Sequence, residues 1–168
     1  MNHPVIKIVV KNFGTMTAEL YPEMAPLTVA NFVKLANADF FAGLIFHRVI
    51  KGFMLQGGGY NADMEHKECD AIRGEFRANG FAQNTLKHTK GVLSMARTSD
   101  PNSASSQFFV MHQPSPHLDG QYAAFGKVID GMDVIDKIAN VETGNYGWDM
   151  QDVPVETVEI ETIEVVSE

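Results

Sequence analysis

The feature that most limits how this chain can fold is a series of short apolar segments, each long enough for a strand and too short for a helix. Segments of this length, bounded by Gly, Pro, Asn and Asp, are typical of β-strands. The pattern predicts strands at residues 5–11, 15–20, 45–50, 54–56, 92–95, 107–111 and 124–128. A turn at Phe13-Gly14 would join the first two strands into a hairpin.

Two segments have helical periodicity instead. The first begins at Pro26, a residue that is favoured in the first turn of a helix. The second follows Asp130-Gly131. In both segments apolar residues recur every three or four positions, which places them on one helical face. These residues are Val29, Phe32, Val33 and Ala36 in the first helix, and Met132, Ile135 and Ile138 in the second.

The last apolar segment, residues 155–166 with the sequence VETVEIETIEVV, alternates like a strand but changes phase. Val158 and Ile160 would lie on one face of a regular strand, whereas Ile163 and Val165 would lie on the other. One extra residue in the strand would bring all four to the same face. The sequence therefore predicts a β-bulge near Glu161-Thr162.

Eight short strands and only two helices favour a mainly β fold. Antiparallel strands avoid exposed edges by closing into a barrel, and helices can cover the barrel ends. We therefore expect a closed eight-stranded antiparallel barrel with two capping α-helices. A length of 168 residues suits a single domain spanning residues 1–168.

Composition and charge exclude several classes of protein. The formal net charge of −8 argues against nucleic acid and against an anionic membrane surface as partners. Cys69 is the one cysteine, so no internal disulfide is possible. Without a leader-like N-terminus or an apolar run of about 20 residues, the expected location is the cytoplasm. A monomer is expected because no long apolar stripe is left over.

A cation stands inside an apolar run in the segment FHRVIKGFMLQGGG, residues 46–59. Strand alternation places Arg48 with Ile50, and Met54 with Gln56. Gly52 interrupts the alternation, so a bend there can redirect Phe53 toward the same patch. Three glycines follow; they lack the Lys-Ser/Thr ending of a phosphate loop and are better explained by close backbone packing.

Two later segments have a similar mixture of aromatic and polar residues. Residues 94–111 end in a strand with Gln107, Phe108 and Phe109, and residues 116–126 include His117 and Tyr122. On composition alone, the apolar members are better interpreted as core. Aromatic walls combined with a few converging polar groups are nevertheless what a ligand cleft requires.

These segments resemble the cyclophilins, a family of peptidyl-prolyl cis-trans isomerases. The resemblance covers nearly the whole chain and is most specific in FHRVIKGFMLQGGG, in LSMAR followed by SQFF, and in HLDG followed by FGKV. It is strongest to the small single-domain bacterial cytoplasmic members. The resemblance implies isomerisation of X-Pro bonds in peptides and unfolded proteins, in aid of protein folding, with no metal and no organic cofactor.

The resemblance also implies roles for individual residues. Arg48 is expected to be catalytic, and Gln56 to support both the arginine and a substrate carbonyl. The backbone at Ala96 and Arg97 is expected to run along the substrate peptide. The walls for the proline ring would be Phe53, Met54, Phe108 and Leu118, and further substrate contacts would come from His47, Gln107, His117 and Tyr122.

Three positions depart from the family pattern. His117 stands where many eukaryotic members have a tryptophan that contacts cyclosporin, so cyclosporin binding is expected to be weak. Tyr122 stands where many members have histidine, which still provides a ring. Arg97-Thr98 replaces a common Asn-Ala pair, which can change specificity beside the pocket.

Three other interpretations of the sequence compete with the isomerase. The main alternative is a non-catalytic module or chaperone on the same fold that binds proline-containing peptides. Ser105, His117 and Asp119 could form a hydrolase triad, but no nucleophile elbow surrounds Ser105. His66 and Cys69 have metal-like spacing, yet two ligands fall short of a zinc site.

Overall fold

The structure is mainly β, as the sequence predicts. The computed structural model describes residues 2–147 and 150–167. The strands are β1 Val5–Val10, β2 Gly14–Leu20, β3 Arg48–Ile50, β4 Met54–Gly57, β5 Val92–Met95, β6 Phe108–Met111, β7 Ala124–Asp130, β8 Thr143–Tyr146, β9 Met150–Pro154 and β10 Ile160–Ser167. Eight of them form one antiparallel sheet in the order β10-β1-β2-β7-β5-β6-β4-β3, and β8 pairs with β9 separately.

The sheet curls strongly so that alternate side chains fill its interior. In β1, for example, Ile6, Ile8 and Val10 are buried whereas Lys7 is exposed. The same alternation along the other long strands produces one large apolar core inside the curled sheet. The period-two pattern in the sequence is thus a direct consequence of which face meets this core.

The two end strands of the sheet, β10 and β3, close it only in part. Phe46 N donates to Val158 O at 2.9 Å, and Ile160 N donates to Leu44 O at 2.7 Å. These bonds join the segments that lead into the two strands. No ladder connects the strands themselves within the described residues. The molecule is therefore a half-barrel, and the predicted closure is slightly overstated.

The same bonds explain why β3 is shorter than the predicted strand at residues 45–50. Ile45 forms an isolated bridge with Glu159, and Ile45 N donates to Tyr60 O at 2.8 Å. Phe46 turns to a different partner, Val158. Only Arg48–Ile50 has a continuous ladder, with β4.

The predicted bulge in β10 is confirmed. Val9 pairs with Thr162 and Val10 pairs with Ile160, so Glu161 is the extra residue. As a result Ile160 and Ile163 are both buried in the core despite their odd spacing. Glu161 is exposed.

The first helix, α1 Pro26–Asn37, has Pro26 in its first turn, as predicted. The side chain of its N-cap residue, Ala25, cannot accept a hydrogen bond. A distant carboxylate takes over this function: Glu75 Oε1 accepts from Thr28 N and Thr28 Oγ1, both at 2.7 Å, and Oε2 accepts from Leu27 N at 3.1 Å. The helix packs near β10, with its buried residues Thr28, Val29, Phe32, Leu35 and Ala36 toward the core.

The second helix, α2 Met132–Ala139, follows Gly131, which has a φ of 95°. Gly131 also lies against the backbone of Thr15, where a Cβ atom would collide. Both observations require glycine at this position. The helix lies near β2, β3 and β4. Its buried residues are Val134, Ile135, Ile138 and Ala139.

The hairpin of β8 and β9 was not predicted. Three of the four residues of β8 are exposed, so the segment has no apolar alternation to detect. Neither helix that the structure describes has the length and apolar character that a membrane crossing requires.

Candidate active site

The strands β3, β4 and β6 bring polar and aromatic side chains together on the outer face of the sheet. Arg48 pairs in register with Gln56, and Gln56 pairs in register with Phe109. Side chains in register on neighbouring strands point to the same face. The next residues along the strands, Val49 and Leu55, point inward to the core. The alternation predicted for Arg48 and Gln56 is therefore correct.

A second, smaller apolar cluster lies on this outer face. Met54 pairs with Met111, and Ile50 pairs with Met54. Phe53 packs against the same cluster from the turn after β3. The buried members are Met54, Val92, Phe109, Met111, Leu118 and Ala124.

The cluster forms the base of a cavity of about 140 Å³. A cavity of 150 Å³ in another protein holds a benzene molecule, so this one matches a single small ring. Arg48, Gln56 and Arg97 contribute the polar part of its wall. The complete lining is Arg48, Phe53, Met54, Gln56, Ala96, Arg97, Phe109, Leu118 and Tyr122.

A chain of hydrogen bonds holds the guanidinium of Arg48 at the edge of this cavity. Arg48 Nη1 donates to Gln56 Oε1 at 3.3 Å. Gln56 Nε2 in turn donates to Gln107 Oε1 at 3.0 Å. Because the amide oxygen of Gln56 faces the guanidinium and its nitrogen faces Gln107, both ends of the Gln56 side chain are fixed.

The glycines after Gln56 allow close packing beside the cavity. Gly58 has a φ of 88°, and a Cβ atom there would lie 2.9 Å from Phe108 Cε1. Gly59 lies directly against the side chain of Gln107. Any larger residue at Gly59 would displace Gln107 and with it the chain of bonds to Arg48. The interpretation of these glycines as close-packing residues is confirmed.

Comparison with known families gives a match over almost the entire chain. Residues 5–165 match the family described as cyclophilin type peptidyl-prolyl cis-trans isomerase. This chain belongs to the cyclophilins. Its activity is accordingly that of a peptidyl-prolyl cis-trans isomerase.

Relatives among bacterial proteins are similar over most of their length. A peptidyl-prolyl cis-trans isomerase of Acinetobacter baylyi is 46% identical over 162 residues, which cover 93% of this chain and 82% of the relative. Peptidyl-prolyl cis-trans isomerase B of Escherichia coli is 42% identical, with 92% of this chain and 95% of the relative covered.

Solved structures agree with this assignment. A cyclophilin-type isomerase of Cryptosporidium parvum superposes with a TM-score of 0.80 at 28% identity and covers 99% of both chains. A second structure of that protein, determined in the presence of the dipeptide Ala-Pro, gives a TM-score of 0.77 at 29% identity, covering 98% of this chain and 99% of the other.

One predicted wall residue of this cyclophilin is wrong. Phe108 is fully buried in the main core, where its ring meets Phe32 and Phe41 at centroid distances of 5.3 and 5.8 Å. Phe109 lines the cavity instead. The alternation of β6 was sufficient to show this, because Phe109 lies two residues after Gln107 and shares its face.

Two other predicted contacts lie at the margins of the cavity. His117 is exposed and is not part of the lining; its ring stacks beside Phe53 at a centroid distance of 6.1 Å. Gln107 accepts a hydrogen bond from Gln56 and does not line the cavity directly. Leu118 and Tyr122 lie in the lining, as predicted.

His47 directly precedes β3 and lies outside the cavity lining. It is buried, and its ring packs against Tyr60 at a centroid distance of 4.6 Å. Burial, with smaller effects from the charges of Arg48 and His66, lowers the pKa of His47 to about 4. The imidazole is therefore neutral at physiological pH.

Arg97 braces one wall of the cavity. Its guanidinium carbon lies 4.7 Å from the ring centroid of Phe76 and 4.6 Å from that of Tyr122. Arg97 Nη2 donates to Gln121 O at 2.6 Å. Arg97 thus has its own set of supporting contacts.

His88, a buried polar residue behind Phe109, was not predicted from the sequence. His88 stacks on Phe109 at a centroid distance of 6.0 Å. Its Nδ1 lies 3.0 Å from Asp119 Oδ1, and its Nε2 lies 2.8 Å from Ser94 Oγ. Desolvation lowers the pKa of His88 more than the carboxylate of Asp119 raises it.

Asp119, His88 and Ser94 are connected in the same way as the acid, base and nucleophile of a hydrolase triad. They differ from a triad because the hydroxyl is not accessible to a substrate. The side chain of Ser94 is completely buried, so no substrate can reach its hydroxyl. Asp119 is engaged with His88 rather than with His117. The triad of Ser105, His117 and Asp119, already disfavoured because Ser105 has no nucleophile elbow, is therefore not formed either.

Proposed function

We propose that this cyclophilin isomerises X-Pro bonds in peptides and unfolded protein chains, with Arg48 as its catalytic residue. The observation that carries the proposal is the position of a guanidinium, held by Gln56, at the edge of a cavity that is about the size of one small ring and has apolar side chains on one side. We assign the proline ring to the walls formed by Phe53, Met54, Phe109 and Leu118.

The proposed chemistry needs no bond to break. An amide resists rotation by about 18–20 kcal/mol because the nitrogen lone pair is shared with the carbonyl. When the bond is twisted, the lone pair is localised on nitrogen and becomes a good hydrogen-bond acceptor. A guanidinium placed beside the proline ring can then donate to it, and this interaction stabilises the transition state more than either planar isomer.

The magnitudes fit a shared contribution. A barrier of about 20 kcal/mol corresponds to a rate on the order of 0.01 per second, and reaching about 1,000 per second requires removing roughly 7 kcal/mol. A hydrogen bond to a charged group contributes about 1.5–3 kcal/mol. Arg48 can therefore supply a large part of the effect, while burial of the ring and orientation of the peptide supply the rest.

The substrate backbone is proposed to run past Ala96 and Arg97. Ala96 N already donates to Gln107 O at 3.0 Å, so we assign pairing with the peptide to the backbone of Arg97. Gln56, fixed between Arg48 and Gln107, would bind a substrate carbonyl through its amide group. His117, exposed beside Phe53, would contact residues that flank the proline.

We further propose that the chain acts as a single-domain monomer in the cytoplasm. Support for one domain comes from the pairing of the first strand with the last, β1 with β10, which ties both ends of the chain into one sheet. Gel filtration with light scattering measures the oligomeric state, and fractionation of cells measures the location.

Exchange NMR on a short X-Pro peptide tests the proposed function directly. Catalytic amounts of the protein should broaden the cis and trans signals of the peptide or produce exchange cross-peaks between them. Arg48→Ala should lower kcat/KM by roughly two to three decades, or about 3–4 kcal/mol. Folding of the variant is checked by circular dichroism. Binding of the peptide without any turnover would instead support a non-catalytic binding module or chaperone.

A further inference from the structure

The turn between β3 and β4 carries Phe53 to the cavity, and the end of β6 holds this turn in place. His112 N donates to Phe53 O at 2.9 Å, and Gln113 N approaches the same oxygen at 3.4 Å. Any residue except proline could make these backbone contacts. One further bond depends on the side chain: Gly52 N donates to His112 Nδ1 at 2.8 Å.

The other ring nitrogen of His112 faces a carboxylate on α2. His112 Nε2 lies 3.2 Å from Asp136 Oδ1, and Lys90 Nζ lies 2.7 Å from the same oxygen. The hydrogen bond from Lys90 is the main reason that the pKa of Asp136 is lowered, so the group is a carboxylate at neutral pH. His112 itself is 7% exposed.

This arrangement selects one tautomer of the imidazole. The carboxylate of Asp136 only accepts hydrogen bonds, so Nε2 of His112 must carry the proton. The amide of Gly52 only donates, so Nδ1 must be the bare nitrogen. A proton on Nδ1 would point at the N–H of Gly52 and would abolish their hydrogen bond.

We propose that His112 is a positioning residue for the isomerase, holding Gly52, and through it the ring of Phe53, in place with the tautomer that Asp136 selects. The inference rests on the proposed role of Phe53 as a wall for the proline ring. A displacement of about 1 Å at a binding wall can cost a large factor in rate. Buried polar partners of this kind commonly orient the groups that contact a ligand.

Two substitutions at position 112 separate positioning from general packing. In His112→Asn the side-chain oxygen can occupy the place of Nδ1 and accept from Gly52. In His112→Gln the amide reaches the place of Nε2 and leaves Gly52 without its partner. We expect kcat/KM within about three-fold of wild type for the asparagine variant and about ten-fold lower for the glutamine variant, mainly through a higher KM.

Hydrogen exchange of the Gly52 amide gives a readout that does not depend on turnover. The amide should remain protected in His112→Asn and exchange faster in His112→Gln. The free energy of unfolding, from urea titration, shows whether the two variants differ in overall stability. Equal kcat/KM and equal Gly52 exchange in the two variants would overturn the inference.

The role of Asp136 has a matched control on the same helix. Asp133, one turn earlier, pairs with Lys137 at 3.5 Å on the exposed side of α2. Nitrogen-15 shifts of the His112 ring should show the Nε2–H tautomer in wild type and in Asp133→Ala. In Asp136→Ala, which removes the acceptor that faces Nε2, this tautomer should be depleted, and kcat/KM should fall several-fold. A wild-type His112 ring that is protonated at Nδ1 would contradict the proposed selection of the tautomer by Asp136.

Phe53→Ala distinguishes failure of this inference from failure of the proposed function. If Phe53→Ala lowers kcat/KM whereas His112→Gln does not, His112 is not a positioning residue but the assigned cavity stands. If Phe53→Ala has normal kcat/KM, the assigned cavity fails, and the proposed role of His112 in catalysis fails with it.

Discussion

The two adjacent phenylalanines of β6 have opposite tasks, and single substitutions should separate them. Phe109→Leu should lower kcat/KM about ten-fold, because a wall of the cavity loses its ring. Phe108→Leu should lower the free energy of unfolding by about 1–2 kcal/mol, since its ring is fully buried in the main core. Turnover per folded molecule should stay near wild type in Phe108→Leu.

The measurements are a peptide isomerisation assay and urea unfolding on both variants. Because the two substitutions are chemically identical and adjacent in sequence, each serves as the control for the other. The opposite result, with turnover lost in Phe108→Leu and kept in Phe109→Leu, would show that Phe108 rather than Phe109 forms the wall of the cavity.

A single substitution at His117 tests how this residue affects ligand binding. Its exposed imidazole lies beside Phe53, at the position where the resemblance implies a tryptophan in many eukaryotic cyclophilins. An indole supplies more apolar area and an N–H donor. We expect His117→Trp to tighten cyclosporin binding at least ten-fold, measured by isothermal titration calorimetry. An unchanged Kd would show that position 117 does not limit the affinity.

For single residues, the sequence was informative where the chemical character of a residue differed from that of its neighbours. Arg48 inside an apolar run and Gln56 before three glycines were both visible as anomalies, and the structure brings them together. His88 was not visible in this way, because its partner Asp119 lies 31 residues away. A contact of that kind exists only once β5 and the following loops are packed.

At the scale of elements, α1 depends on a carboxylate far away in the sequence. Glu75 is 2% exposed and accepts three hydrogen bonds from Leu27 and Thr28 at the helix N-terminus. A negative charge there also interacts favourably with the helix dipole. Glu75→Gln should therefore lower the free energy of unfolding by about 2–3 kcal/mol. In the glutamine side chain an NH2 group replaces one carboxylate oxygen, so it would face a backbone N–H that can no longer donate to it.

Urea unfolding followed by circular dichroism measures this loss. Glu68→Gln is the matched control, because the side chain of Glu68 is 87% exposed and the same atoms change. We expect the control to differ from wild type by less than about 0.5 kcal/mol. Equal losses in the two variants would show that the cap contributes nothing specific.

The elements that could be predicted are those with a burial pattern of their own. The bulge at Glu161 followed from a change of phase in apolar residues that all need the same core. The hairpin of β8 and β9 has mostly exposed residues, so its strands are defined by their mutual hydrogen bonds rather than by burial. Such bonds leave no periodicity in the sequence.

At the scale of the whole molecule, the order of strands lies beyond a pattern of single segments. The sequence predicted eight antiparallel strands, yet β10 next to β1 and β7 between β2 and β5 are long-range pairings. The cavity follows from this order, because β6 must lie next to β4 for Phe109 to reach Gln56. The resemblance to the cyclophilins, rather than any local pattern, implied which residues of distant segments form one site.

Two of the buried histidines, His47 and His88, make the stability of the whole molecule depend on pH. Burial lowers the pKa of His47 to about 4 and also lowers that of His88. In the unfolded chain a histidine has a pKa of about 6.5. Between about pH 4 and 6.5 the unfolded state therefore binds more protons than the folded state, and the free energy of unfolding must fall as the pH is lowered.

For His47 alone the expected loss between pH 7 and pH 5 is about 2 kcal/mol, from a pKa of about 4 in the folded state. Urea unfolding at both pH values should show this loss in wild type. In His47→Asn the difference between the two pH values should be smaller by about the same amount, because no proton is taken up at position 47. His3, whose pKa is raised by Glu23, gives a slope of the opposite sign and is unchanged in both proteins. If the variant and the wild type lose equal stability on acidification, the buried imidazole of His47 is not the group that titrates.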